Sequence, residues 1–594
     1  MSDESGRQAA AFENWSEYVA MRDGVRLAIS MTTPPKVSGW DRLPAVVIFT
    51  RYGRATRAAI ASATFSESLE LTRHGFIVVQ VDVRGTGASF GARTVEKGWA
   101  EADDYREVLD WIVAQPWSDG RVVATGISYP GNACDLLQVH DHPALVAVAP
   151  RFTDFDIYEH LLFPGGMPDI AFSVAWSQFT AALDRGGEAG QPPADDIPPQ
   201  AVDGDDGALY RAALAEHGAN ADQAARFKAT TFRGPSTRRP DDPAAPDRAV
   251  NLCDVAAELA AGARPAFHWA SWMDAGTAAG ALARFRTLSG APMRLKIGAW
   301  THGAMHDANP FGPSHGAPPV PGRAEQAAEL AGFFQAELEG RGLDTAAGGP
   351  ARRIDYLLMA PDVPGGGEWR TSGTWPPAGV RDGVWRFSAG GVLVAADVGA
   401  TLPAGVDAHA VDPEDTTGPF NRWTTQLGLH IAYPDRAEAD AALLTYTSAP
   451  LAAPLTIVGE GLVTLHVETD ATDGLFIAYL EAVGPDGRVI YLSEGGLRGL
   501  HRQVSAEPPI YVRPGPNRSF READAAPMVP GELTELTFPL LPTAVRLPAG
   551  WRLRLALAGA DKHTFAAIPD GTAPTWRLHR GGTRMSGVVL PVIW

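Results

Sequence analysis

The chain has 594 residues, of which 45% are hydrophobic and 20% are charged, and its formal net charge is −19. This composition is typical of a globular protein, and the length exceeds what one hydrophobic core fills, so we expect about two to four domains. The acidic charge argues against nucleic acid or an anionic membrane surface as a partner.

Localisation follows from what the sequence lacks. No apolar run approaches the about 18 residues of a membrane span, and residues 1–6 have neither the basic nor the apolar region of a secretory signal. Two cysteines, Cys134 and Cys253, are too few for a disulfide framework. We therefore expect a cytoplasmic protein with no metal or organic cofactor. Its assembly state, including a homodimer, stays open.

The first 155 residues alternate between strand and helix patterns. Residues 45–50 and 76–82 are short apolar runs, typical of strands buried on both faces of a sheet. Apolar residues at helical spacing follow over 105–112, and a third strand-like run leads to Ser128. Such repetition predicts parallel β-α-β units and an α/β sheet.

The pattern changes twice after this point. Residues 208–228 have a helical pattern within a predicted insertion. Strand and helix patterns alternate again after it, with strand-like runs at 265–270 and 293–298 and a helix over 324–340. From about residue 350, alternating residues and a hairpin turn at 484–487 predict an all-β domain. We predict the first part of an α/β core at residues 1–155 and a helical cap at 156–250. The second part of the core follows at 251–345, and a β-sandwich at 346–594.

The segment Gly126-Ile-Ser-Tyr-Pro-Gly131 carries the strongest chemical signal. An apolar run enters a Gly-x-Ser turn and a helix-compatible segment leaves it, as in the nucleophile elbow of α/β-hydrolases. Small residues are needed there because a side chain at Gly126 or Gly131 would collide with the opposite arm. Gly-x-Ser alone is common in ordinary turns, so its context decides its meaning.

A serine nucleophile needs a histidine base and a carboxylate that orients the base. Asp274 and His302 follow Ser128 in the chain order of α/β-hydrolases, each directly after a strand-like run. Taken singly, Asp274 is better explained as a helix N-cap and His302 as a loop histidine. Their order and context together favour a catalytic triad at the mouth of the sheet.

Several motifs resemble those of one family of serine hydrolases, which includes cocaine esterases, glutaryl-cephalosporin acylases, α-amino-acid ester hydrolases and X-Pro dipeptidyl-peptidases. They are Asp82-Val-Arg-Gly-Thr-Gly-Ala-Ser89, the Ser-Tyr elbow, and the Trp-x-Asp and Trp-Thr-His endings at Asp274 and His302. The resemblance covers nearly the whole chain. It implies an α/β-hydrolase core with a helical cap insertion, plus an all-β C-terminal jelly-roll domain.

The resemblance also implies roles for individual residues. Ser128 would attack the acyl carbon, His302 would shuttle the proton and Asp274 would hold the imidazole. The Tyr129 backbone amide and the Tyr52 hydroxyl would form the oxyanion hole. Trp176 resembles an aromatic residue that the cap contributes to the acyl pocket, although Phe172, Trp176 and Phe179 also fit a simple packing stripe.

One departure bears on specificity. The α-amino-acid ester hydrolases carry acidic residues two and three positions after the triad aspartate, where this chain has Gly276 and Thr277. We therefore expect a serine hydrolase that cleaves small-molecule carboxylic esters through an acyl-enzyme. The alternatives are an amidase or acylase acting on β-lactam side chains or peptides, and an inactive protein that binds a carbohydrate or a partner.

Overall fold

The computed structural model describes residues 12–34, 42–55, 63–187, 201–239, 248–312, 316–342, 351–396 and 402–593. Residues 1–6, which are predicted not to form a secretory signal, and the predicted boundary between residues 345 and 346 lie outside these ranges. Within them, every helix is too short or too polar to traverse a lipid bilayer.

The described part of the chain folds into nine α-helices and 23 strands. The helices are α1 (Ala63–Arg73), α2 (Trp99–Ala114), α3 (Tyr129–Leu136), α4 (Ile170–Asp184), α5 (Ala208–His217), α6 (Gln223–Ala229), α7 (Ala256–Ala261), α8 (Thr277–Thr287) and α9 (Arg323–Leu338). The strands are β1 (Glu13–Ala20), β2 (Arg26–Thr33), β3 (Leu43–Thr50), β4 (Ile77–Asp82), β5 (Ser118–Ile127), β6 (Leu145–Arg151), β7 (Ala266–Ser271), β8 (Met293–Gly298), β9 (Arg352–Met359), β10 (Gly367–Ser372), β11 (Arg381–Ser388), β12 (Val392–Ala395), β13 (Gly405–Ala410), β14 (Leu444–Ser448), β15 (Leu455–Gly459), β16 (Leu462–Thr469), β17 (Leu475–Val483), β18 (Val489–Arg498), β19 (Thr534–Pro539), β20 (Thr543–Leu547), β21 (Arg552–Ala558), β22 (Thr575–Arg580) and β23 (Gly587–Ile593).

The core sheet has the strand order β1-β2-β4-β3-β5-β6-β7-β8-β9-β10. All pairings from β4 to β9 are parallel, and the antiparallel pairs lie at the two ends. This arrangement confirms the α/β-hydrolase fold class. The sheet continues beyond residue 345 through β9 and β10, and the four predicted domain limits as a set stay a prediction.

Alternating side chains of β3 pack against helices on opposite faces of the sheet. Val46 and Ile48 join Leu71 of α1 and Phe334 of α9 in one buried cluster. Val47 and Phe49 join the apolar stripe of α2 in the other. Burial on both faces explains why the sequence has continuous apolar runs here, since successive residues of a strand point to opposite sides.

The cap, α4 to α6, lies between β6 and β7 in the chain. The helical segment predicted over 208–228 is wrong as one helix, because it is divided into α5 and α6. Gly218 ends the first helix, and the Asp222 carboxylate accepts a hydrogen bond from the Ala225 amide at 3.0 Å to start the second. An N-cap side chain competes with helix continuation, which apolar spacing alone does not register.

The C-terminal domain consists of strands, as predicted. Two antiparallel runs, β18-β17-β21-β14 and β13-β22-β16-β19, form much of it. The predicted hairpin joins β17 to β18, with Gly487 at φ 87° and its amide bonded to the Gly484 carbonyl at 2.9 Å. This all-β domain packs against the loops that follow β7, which brings it to the candidate site.

Candidate active site

Ser128 stands at the corner between β5 and α3. Its backbone has φ 65° and ψ −128°, a conformation that only a tightly packed surrounding maintains. A Cβ at Gly126 would lie 2.4 Å from the Pro130 carbonyl carbon, and one at Gly131 would lie 2.6 Å from the Thr153 methyl group. The corner therefore has the geometry that the elbow motif predicts.

Asp274 and His302 are carried by the loops after the neighbouring parallel strands β7 and β8. The buried Ser271 hydroxyl ties the two loops together, since it donates to the Trp300 carbonyl at 2.7 Å and accepts from the Trp300 amide at 2.8 Å. A third bond comes from the Met273 amide at 3.0 Å. The strand order thus brings together two residues that are 28 positions apart.

The His302 Nδ1–H donates to Oδ2 of the fully buried Asp274 at 2.8 Å. The Asp274 side chain does not cap α8, whose N-cap residue is Gly276. His302 Nε2 is buried and has no hydrogen-bond partner among the described residues, so the Ser128 hydroxyl and the imidazole are not bonded in this state. Phe152 packs edge-on against the His302 ring, with 5.8 Å between ring centroids.

Tyr52 lies in the loop after β3, beside the elbow. Its hydroxyl accepts a hydrogen bond from the Trp176 indole N–H at 3.2 Å. Burial raises the pKa of Tyr52, and the hydrogen bond from Trp176 acts in the opposite direction. Because the pKa of Tyr52 is raised overall, the phenol keeps its proton at neutral pH and can donate a hydrogen bond. Tyr52 and Trp176 are therefore bonded to each other, and the centroid of the Tyr52 ring lies 6.2 Å from that of Tyr129, the residue that follows Ser128.

The cap helix α4 holds Trp176 against the core. The Arg51 guanidinium lies 5.1 Å from the Trp176 ring centroid and bonds to Glu96 and Asp184, both at 2.9 Å. Arg51 is 1% exposed, and Asp184 is the last residue of α4. This ion-paired arginine fixes both the loop that carries Tyr52 and the helix that carries Trp176.

Tyr129 contributes different groups to two places. Its backbone amide is at the first position of α3, where the N–H groups have no partner within the helix. Its side chain turns away from the corner and donates to the Glu101 carboxylate at 2.5 Å. Burial raises the pKa of Glu101 and, together with the charge of Glu101, raises that of Tyr129 well above its usual range.

Comparison with known proteins shows the family to which this chain belongs. Residues 23–304 match the model described as X-Pro dipeptidyl-peptidase (S15 family), and residues 350–587 match that of the X-Pro dipeptidyl-peptidase C-terminal non-catalytic domain. A Mycobacterium bovis protein provisionally named a serine esterase is 36% identical over 97% of this chain and 95% of its own length. Cocaine esterase of a Rhodococcus species is 26% identical over 97% of both chains.

The chain belongs to the CocE/NonD family of serine hydrolases. A solved CocE/NonD family hydrolase from Staphylococcus aureus shares the fold, with a TM-score of 0.69 and 17% identity over 98% of this chain and 94% of that one. The family resemblance drawn from the motifs is thus confirmed, and the protein is a hydrolase. The individual catalytic roles stay predictions.

The departure noted after Asp274 has a steric basis in this member of the CocE/NonD family. A Cβ at Gly276 would lie 2.4 Å from the His160 carbonyl oxygen, so no acidic side chain fits there. The Thr277 hydroxyl is occupied, because it donates to the Asp274 carbonyl oxygen at 2.9 Å. These positions therefore offer no charge to a substrate ammonium group.

Two further residues at the site were missed by sequence reasoning. Thr425 Oγ1 and Gln426 Nε2 each lie 2.7 Å from Asp274 Oδ1, the oxygen that does not face His302. Both come from the all-β domain, about 150 residues further along the chain, at 151 and 152 positions from Asp274. No motif marks them, since a Thr-Thr-Gln turn has no chemical signature of its own.

Proposed function

We propose that this hydrolase cleaves carboxylic esters through an acyl-enzyme formed on Ser128. The supporting observation is the 2.8 Å bond from His302 Nδ1 to Asp274. It fixes the neutral imidazole with its proton on Nδ1, so Nε2 carries the lone pair that a general base needs. The positive φ of Ser128 is the conformation expected of a serine exposed at an elbow.

In the proposed reaction, Ser128 Oγ forms a bond to the ester carbonyl carbon while its proton moves to His302 Nε2. The carbonyl oxygen becomes an oxyanion, which the Tyr52 hydroxyl and the Tyr129 amide stabilise. The oxyanion then returns to a carbonyl as the ester C–O bond breaks, and the protonated imidazole gives its proton to the departing alkoxide. In the second half of the reaction, water gives a proton to His302 Nε2 and attacks the acyl carbon. The bond between this carbon and Ser128 Oγ then breaks, and the imidazole returns a proton to Ser128, which releases the acid.

Ser128 and His302 must approach each other for this proton transfer. Hydrogen bonds between catalytic groups are often long in a substrate-free enzyme and shorten in the substrate complex. Trp176 is proposed to line the acyl side of the pocket, next to the Tyr52 hydroxyl that it contacts at 3.2 Å. The cap would then shape acyl selectivity, and the all-β domain would close the opposite side.

The direct test is Ser128→Ala in a burst experiment with an activated p-nitrophenyl ester. We expect the wild type to release one equivalent of p-nitrophenol per site in the burst, and the variant to release none. A fluorophosphonate probe should label the wild type alone, and it also separates an active hydrolase from an inactive binding protein. Undiminished turnover or labelling of the variant would contradict the proposal.

An amidase activity is the second candidate, because the N-terminal half matches a dipeptidyl-peptidase family model. The mechanism is shared, and only the leaving group differs. A panel of p-nitrophenyl esters and matched p-nitroanilides of the same acyl groups compares the two directly. We expect higher kcat/KM on the ester of every pair, and a preference for the anilide would favour the amidase.

A further inference from the structure

The turn at residues 421–427 of the all-β domain is built around a buried arginine that binds the Asp274 loop. The Arg422 side chain donates to the Trp272 carbonyl at 2.7 Å and to the Ala275 carbonyl at 2.8 Å. In return, the Ala275 amide donates to the Arg422 carbonyl at 2.8 Å. Arg422 and Asp274 are both fully buried. The all-β domain is therefore bonded to the residues on either side of Asp274.

The same turn reaches the carboxylate itself. Gln426 donates from Nε2 to Asp274 Oδ1 at 2.7 Å, and the Thr425 hydroxyl lies at the same distance. The hydroxyl has one proton and could also give it to the Arg422 carbonyl at 2.8 Å. That carbonyl already accepts from the Ala275 amide, and a carboxylate is the stronger acceptor, so the proton goes to Asp274.

The two oxygens of Asp274 consequently have separate partners. Oδ1 is bonded by Thr425 and Gln426, whereas Oδ2 is left for His302 Nδ1, with the Thr277 hydroxyl more distant at 3.5 Å. A carboxylate held on one side cannot rotate about its Cβ–Cγ bond without breaking two short hydrogen bonds. The direction of the imidazole is set by the oxygen that remains.

We propose that Thr425 and Gln426 are positioning residues through which the all-β domain orients the Asp274–His302 pair. The inference rests on the proposed function, because it assigns to the second domain a part in the proton transfer from Ser128. The domain thus completes the site instead of only covering it. A misplacement of about 1 Å in such a unit costs about 100-fold in rate.

The test replaces each donor by a group of similar shape. Thr425→Val and Gln426→Met should each lower kcat for an activated ester about 10- to 100-fold with KM within about twofold of the wild type. The rate of fluorophosphonate labelling should fall by the same factor. Thr425→Ser, which keeps the hydroxyl, should restore kcat to within about threefold of the wild type.

Thr424→Val is the matched control, because Thr424 is in the same turn and is buried, but its hydroxyl bonds only to backbone groups such as the Pro419 carbonyl at 3.0 Å. We expect it to lower the melting temperature without the loss of kcat. Proton NMR supplies a readout that folding alone would not move. The downfield resonance of the His302 Nδ1 proton should shift or broaden in the Thr425 and Gln426 variants and stay in place in the control.

The outcomes separate this inference from the proposed function. If Ser128 in the wild type is not labelled, the acyl-enzyme proposal itself fails. If the wild type is labelled but Gln426→Met reacts within about twofold of its rate, the positioning role is overturned and the acyl-enzyme stands. The positioning role is also overturned if Thr424→Val and Thr425→Val lose kcat equally and in proportion to their lower melting temperatures. The turn would then have only a structural role. Gln426 is half-buried, so its variant remains a test even if Thr425→Val does not fold.

Discussion

Tyr52→Phe is the most direct perturbation of the proposed oxyanion hole. The substitution removes one hydroxyl and keeps the ring, which stacks on Phe179 at 5.8 Å and meets Tyr129 edge-on at 6.2 Å between centroids. Because the Trp176 N–H donates to this hydroxyl, the phenolic proton has to point elsewhere, and we expect it to be donated to the developing oxyanion. The loss should therefore fall on the transition state and not on packing.

The size of the effect follows from what one such donor contributes. Removing a single oxyanion-hole donor costs about 2.7–4 kcal/mol, which is about 100- to 1,000-fold in kcat. We expect this loss in steady-state assays with a p-nitrophenyl ester, and a much smaller change in KM, because the ground-state carbonyl interacts less strongly than the oxyanion. The melting temperature should remain close to that of the wild type.

Trp176→Phe is the companion variant. It keeps the phenol but removes the neutral hydrogen bond that directs it, worth about 0.5–1.5 kcal/mol, so we expect a loss of about 2- to 12-fold in kcat. We therefore expect the loss of kcat to be larger in Tyr52→Phe than in Trp176→Phe. The reasoning is refuted if Tyr52→Phe retains kcat within about threefold of the wild type, or if its loss appears only in KM.

Two predictions concern stability. Gly126→Ala places a Cβ 2.4 Å from the Pro130 backbone and should lower the free energy of unfolding by about 1–3 kcal/mol in urea titrations. The control Gly234→Ala, whose Cβ would have no atom within 4 Å, should change it by less than about 0.5 kcal/mol. Equal effects in the two variants would contradict the packing argument. Burial raises the pKa of Asp169, the N-cap of α4, to about 8. The folded state therefore keeps a proton that the unfolded carboxyl releases near pH 4, so this group's contribution to stability is lost as pH rises from about 4 to 8, by up to about 1.4 kcal/mol per pH unit. Asp169→Asn should flatten that slope in urea titrations between about pH 5 and 8, and equal slopes in wild type and Asp169→Asn would refute the burial argument.

The sequence by itself determined the local parts of this protein. Apolar runs on both faces of β3 and β4 require helices on two sides, and the small residues around Ser128 leave room for a sharp corner. Ser128, Asp274 and His302 each follow a parallel strand of the core sheet, β5, β7 and β8 respectively. Each of these features depends on residues near one another in the chain, so periodicity and steric size reveal them.

Only the tertiary structure decided which groups complete the site. Trp176 is equally a packing residue or a pocket residue in the sequence, and its N–H on Tyr52 depends on how the cap docks on the core. Thr425 and Gln426 reach Asp274 because the all-β domain is fixed there by Arg422, across about 150 residues. Contacts between separately folded units depend on how their surfaces fit, and no periodic pattern in a single sequence encodes that fit.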